Sequence, residues 1–138
     1  MPFTGNATCN DFKYGLLNGT FKFDGTQTFK IALYNNSATL NAETAAYTTD
    51  GEISGTGYTA GGDALTPTEG IDNGVAYVTF ADVTWSGAFT VRGALIYKSG
   101  GGNPAVCVLD FGNDKVSSSS FTVQFPVAGS TTGLIRIT

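Results

Sequence analysis

FTVRGALIY, residues 89–97, carries the reading of the fold. Phe89, Val91, Gly93, Leu95 and Tyr97 alternate with Thr90, Arg92, Ala94 and Ile96. A period of two sends successive side chains to opposite faces of a pleated strand, so the spacing predicts a strand with one inward face. The same period returns twice. Phe29, Ile31 and Leu33 alternate with Lys30, Ala32 and Tyr34, and Phe121, Val123 and Phe125 alternate with Thr122, Gln124 and Pro126. Residues 75–80, 105–111 and 134–137 add three strands rich in β-branched and aromatic side chains. Residues 105–111 are apolar on nearly both faces. They are predicted to lie in the middle of a sheet covered on both sides, by the core and by a helix or a partner chain.

Turn chemistry separates these runs. Asp24-Gly25, Asp50-Gly51 and Asn73-Gly74 are tight-turn pairs whose backbones accept positive φ. Residues 99–104 and 117–120 read as loops. One helix is predicted, over residues 10–17, capped by Thr8 or Asn10 and with Asp11 in its first turn. Phe12, Leu16 and Leu17 are assigned to its inward side, and Asn18-Gly19 ends it. Strands at 8–15-residue spacing without intervening helices predict an all-β protein: an antiparallel β-sandwich with one short N-terminal helix, forming a single domain over residues 1–138.

Composition narrows the function. A chain of 138 residues fits one core. Only 13% of residues are charged, about half the usual share, and Thr, Ser, Asn and Gly take their place. The net charge is −4, and the seven basic residues (Lys13, Lys22, Lys30, Arg92, Lys98, Lys115, Arg136) are scattered. Duplex binding needs a clustered basic face, so no nucleic-acid partner is expected. No window approaches the ~20 apolar residues of a membrane span, so no membrane partner is expected. Met1-Pro2-Phe3-Thr4 has neither the charged nor the apolar region of a leader, which reads as cytosolic synthesis. In that setting Cys9 and Cys107 read as free thiols. The glycosylation patterns at Asn6, Asn18 and Asn35 read as accidents of a Thr-rich composition.

SGTGYTAGGDALTPTEG, residues 54–70, contains the G-x-G-x-x-A form of a dinucleotide-binding turn. That turn works only when a helix starts within it and presents its N-terminus to phosphate. Gly61-Gly62 and Pro67 come next instead, and neither supports a helix. The stretch reads as an extended excursion anchored by Tyr58 and Leu65, and no cofactor is expected. With no histidine in the chain and two cysteines, a closed zinc site cannot be built. Asp110, Asn113 and Asp114 fit no calcium-loop spacing and read as turn residues, so no metal is expected. No Ser-His or Cys-His pair exists. Asp24, Asp50, Asp63 and Asp72 sit beside turn residues, and Glu43, Glu52 and Glu69 lie in Thr/Gly-rich connections, so no catalytic residue and no enzymatic activity are expected. The contact residues proposed from aromatic character are Phe12, Tyr14, Tyr47, Tyr58 and Trp85. Trp85, at a strand end, reads either as core or as a contact. Of Phe12 and Tyr14, one is expected inward and the other toward a neighbouring subunit.

Several phrases together carry a resemblance. They are FKIALY at 29–34 followed by SATL at 37–40, YTT at 47–49, EISGTGYTAGG at 52–62, RGALIY at 92–97, AVCVLDFG at 105–112 and FTVQFP at 121–126. The chain, from about residue 10 onward, resembles a family of small tailed-bacteriophage structural proteins. Within that group it is most similar in size and strand content to the jelly-roll cement (decoration) proteins of the capsid exterior. The resemblance implies a jelly-roll-like sandwich that binds the major capsid protein and itself, as a dimer or trimer. It also implies a location on the virion exterior after synthesis in the bacterial host cytoplasm, and it offers no catalytic residues. Two alternatives stand beside it: a phage tail, neck or fibre component, and a carbohydrate-binding β-sandwich that uses Trp85 and nearby tyrosines.

Overall fold

A computed structural model describes residues 3–138. Met1 and Pro2, half of the segment read for a leader, lie outside the described residues. The elements are β1 (Ala7–Thr8), α1 (Asn10–Asn18), β2 (Phe29–Tyr34), β3 (Asp63–Leu65), β4 (Pro67–Asp72), β5 (Val75–Phe80), β6 (Val83–Ser86), β7 (Thr90–Lys98), β8 (Ala105–Val116), β9 (Ser120–Val123) and β10 (Ile135–Ile137). The principal sheet has the order β1-β8-β7-β2-β3, and two ribbons, β10-β5-β4 and β6-β9, stand apart from it. The architecture is all-β, antiparallel and sandwich-like with one short helix, as the periodicity predicts.

One face of the principal sheet meets the ribbons and the helix. Register puts Ile31 opposite Ile96, and Ile96 opposite Cys107, all on that face. Phe29 shares it and stacks on Phe23 with ring centroids 4.4 Å apart. Phe80 of β5 lies 6.5 Å from Phe29, and Phe12 of α1 meets Phe21 edge-on at 5.0 Å. Burial of these aromatic rings holds the helix and ribbon against the sheet.

The opposite face corrects the expectation of half-buried strands. Ala32 and Tyr34 of β2, read as outward, and Leu95 and Tyr97 beside them on β7 are as buried as Ile31 and Ile96 on the first face. The irregular stretch 35–62 and Phe3 cover this face. Tyr34 Oη donates to the Thr48 carbonyl at 2.6 Å, Tyr97 Oη donates to the Gly61 carbonyl at 2.6 Å, and the Tyr47 ring stacks on Tyr97 at 4.8 Å. The stretch runs close to the sheet because Gly62 sits at φ 78, where a Cβ would collide with the Ile31 carbonyl. Within the apparent nucleotide turn, Gly57 serves close approach as well, since a Cβ there would collide with the Ser86 carbonyl, and the chain runs on through Gly61-Gly62 into β3 rather than into a helix. Tyr58 and Leu65 are buried, and β3 and β4 are strands that the excursion concealed.

Four other expectations change. β8 stands second in its sheet, and only Ala105–Val108 is buried; residues 112–116 are exposed. β9 ends at Val123, short of the predicted run to Pro126. In α1, neither Thr8 nor Asn10 is the cap. Thr8 is already paired with Cys107 in β1, so Cys9 takes the cap position without a side-chain bond. Gly19, at φ 81, ends the helix as expected. Leu17 is 89% exposed rather than inward. Five residues on from Phe12 it lies well around the helix, and Gly15 shares the Phe12 face instead. A Cβ on Gly15 would overlap the Phe21 ring, so this position has to stay small. Among the described residues no helix is long and apolar enough to cross a membrane.

Candidate interaction surface

The most organised polar cluster centres on Glu52. β3 covers β2 only from Phe29 to Ile31, which leaves Leu33 at an open edge. The chain returns to close it. Ile53 N–H donates to the Leu33 carbonyl at 3.0 Å, and Leu33 N–H donates to Tyr58 Oη at 3.0 Å. The Glu52 carboxylate then accepts from Tyr58 Oη at 2.5 Å, Tyr47 Oη at 2.6 Å and Gly61 N–H at 2.8 Å. Burial, and then the nearby Glu52 carboxylate, pushes the phenols of Tyr34, Tyr47, Tyr58 and Tyr97 upward. A lone carboxylate whose oxygens are filled by structural donors lacks the second acid of glycoside hydrolysis. The cluster fastens the covering stretch to the sheet.

The aromatic contact candidates divide by burial. Phe12 is 1%, Trp85 2% and Tyr58 9% exposed, so all three belong to the chain's own core. Trp85 packs against Tyr58 at 6.3 Å and Phe121 at 6.5 Å. Its indole N–H has no acceptor among the described residues. Tyr47 is half-buried and held by Glu52. Tyr14 alone of the five is at the surface, 70% exposed. Phe12 and Tyr14 thus split inward and outward across the helix. Cys9 and Cys107 are both buried free thiols.

The exposed apolar side chains were not legible as such. Leu17 accompanies Tyr14 on α1, and Ile71 and Ile137 are exposed on the three-stranded ribbon. Register aligns Ile71, Ala76 and Ile137 in one row across β4, β5 and β10. The adjoining row, through Val78 and Ile135, borders a groove of about 150 Å³ against Phe12 and Leu16. An apolar row that continues past the edge of its own core is the mark of a contact surface.

A second opening, of about 370 Å³, lies between β8 and β9. β7 pairs Val91 with Lys115 and Gly93 with Asp110, so Phe111 to Asp114 loop out opposite Arg92. Gly112, at φ 88, turns this bulge. Phe111 reaches Phe121 of β9, with ring centroids 6.1 Å apart. Asp110 is held by Arg92 at 3.0 Å and by the Gly112 N–H at 2.8 Å. Among the described residues no group of three His, Cys, Asp or Glu side chains is placed to hold a metal ion. The glycine inside an otherwise apolar strand pattern is the sequence signal from which the bulge could have been found.

No protein-family model, no curated protein and no solved structure matches the chain. What fold and surface define is a class: an antiparallel, sandwich-like β protein with uncovered apolar side chains on its helix and on one ribbon.

Proposed function

We propose that this chain is a virion structural protein of a tailed bacteriophage. It binds the outer surface of the capsid as a dimer or trimer and stabilises the shell by bridging major capsid protein subunits. One observation carries the adhesive part of this reading: apolar side chains left uncovered on two elements, Tyr14 and Leu17 on α1 and Ile71 and Ile137 on the ribbon, with Ile137 also lining the groove between them. The phage assignment is supported by the phrases that resemble virion proteins, which fall in β2, the Glu52 stretch, β7, β8 and β9. Modest contacts suffice for such a role, because many copies on one shell add through multivalency. The burial of Trp85 deprives a glycan-binding reading of the aromatic platform on which it depended.

The test uses virions that lack the protein. They are expected to release DNA at lower temperature than the parent and to recover on addition of purified protein. Protein carrying Leu17→Ser and Ile137→Ser should fail to restore them while keeping its own melting temperature. Particles as heat-resistant as the parent, or full rescue by the double variant, would remove the proposal. Density on tails or fibres in place of the shell would reassign the protein to those parts.

A further inference from the structure

The opening beside β9 has a strand edge for a wall. Phe111, Lys115, Phe121, Thr122, Val123 and Gln124 line it. The last four are consecutive, and consecutive strand side chains point to opposite faces. All four border one space only if that space runs along the edge of the strand. Among the described residues β9 pairs with β6 alone, so this edge is open. The phase of the ladder shows what the edge offers. Gly87 N–H donates to the Ser119 carbonyl at 2.8 Å. In step with it, Trp85–Phe121 and Val83–Val123 are the pairs that exchange hydrogen bonds. The intervening Thr84–Thr122 pair is of the outward kind, so the Thr122 N–H and C=O point away from β6, into the opening. The Gln124 N–H is in phase with them.

We propose that this opening is a strand-addition site for an extended polypeptide segment that alternates apolar and acidic side chains. Three features select that occupant. The outward amide and carbonyl of Thr122 are matched by the backbone of another strand. The Phe111 and Phe121 rings offer an apolar surface to every second side chain. Lys115 is the one charged side chain lining the opening, on a chain whose net charge is −4, so a carboxylate is its complement. The bulge at Gly112, which brings Phe111 to this place, is the kind of irregularity that re-aims a side chain. The site stands independently of the virion reading, since it concerns the chemistry the edge accepts and not where the protein resides.

The probe is a blocked hexapeptide alternating valine and glutamate, compared with its valine–lysine counterpart. Amide exchange is followed by NMR on the whole chain. The glutamate peptide should slow exchange at Thr122 and Gln124 and bind more tightly than the lysine peptide. Thr122→Pro removes the outward N–H at a position where an edge strand tolerates proline. It should weaken binding roughly tenfold, the cost of about one lost hydrogen bond, with the melting temperature retained. Lys115→Glu should reverse the preference between the two peptides, and it decides the matter alone if the proline variant does not fold. Unchanged exchange at Thr122 and Gln124 with saturating glutamate peptide overturns the proposal. So does a Lys115→Glu protein with the original preference. Protection that rises with protein concentration and no peptide overturns it as well, because a second copy of the chain would then be the occupant.

Discussion

Glu52 shows how one side chain can hold an irregular stretch against a sheet. Its carboxylate answers two phenols and one backbone amide at once, and charge-assisted bonds of this kind outweigh neutral ones. Glu52→Gln keeps the shape but turns an NH₂ toward one of these donors. The expected loss is about 2 kcal/mol in urea unfolding. A change within a few tenths would show that the cluster contributes nothing. The four raised phenols add a pH dependence. Above pH ~10 the unfolded chain releases phenol protons that the folded chain keeps, so the unfolded state binds fewer protons and stability falls as pH rises. Stability from this source is complete below pH ~10, and ultraviolet absorbance of the phenolate should show these four tyrosines ionising at higher pH in the native protein than in the unfolded chain. The thiols obey similar logic. Burial, with Asp11 adding to it, pushes Cys9 up to about 11, and burial raises Cys107 as well. A thiol reagent at pH ~8 should label neither in the native protein and both after denaturation; rapid native labelling would contradict their placement.

At the scale of elements, α1 divides sharply between its two sides. Phe12 is enclosed by Phe21 and Phe23, so Phe12→Ala is expected to cost about 3–5 kcal/mol through lost transfer energy and the cavity left behind. Leu17 contacts solvent, and Leu17→Ser should leave stability within about 0.5 kcal/mol. Thermal melts of the two variants check the orientation of the helix: similar destabilisation by both would mean that Leu17 is packed after all. A nine-residue helix is marginal alone in water, so its existence depends on this one aromatic contact face. The ribbon β10-β5-β4 is similarly dependent. Val78 and Phe80 bind it to the core, and its far row is left uncovered.

Across the whole molecule, Arg92 joins parts distant in the chain. It pairs with Asp110 of β8 at 3.0 Å, donates to Asn36 Oδ1 of the covering stretch at 3.1 Å, and lies 5.4 Å from the centre of the Phe3 ring. The pair is buried, so removing one partner strands a charge. Asp110→Ala is expected to cost about 3–5 kcal/mol. Hydrogen exchange should rise first at Phe3 to Thr8 and around Asn36, the segments the cluster ties to the sheet. Uniform loss of protection across the molecule would show that Arg92 has no such local part. Covering on both faces also explains why this small, charge-poor chain can sustain one core: the stretch 35–62 and the ribbons together remove both faces of β2 and β7 from water.

The sequence by itself determined the local layout. Period-two alternation marks β2 and β7, Asn73-Gly74 makes the β4–β5 turn, and Asn18-Gly19 stops the helix, because each depends on residues adjacent in the chain. Tertiary structure alone decided which faces are covered. Lys30, Ala32 and Tyr34 read as an outward face until residues 35–62 fold over them, and nothing in the alternation of β2 encodes that cover. Trp85 reads as core or contact and Tyr58 as anchor or contact, since an aromatic ring gains by either burial, and the packing of Phe121 and Phe89 around them made them core. The exposure of Tyr14, Leu17, Ile71 and Ile137 and the open edge of β9 became visible last. Exposure is what remains after every other surface has found its partner, and that depends on the whole fold.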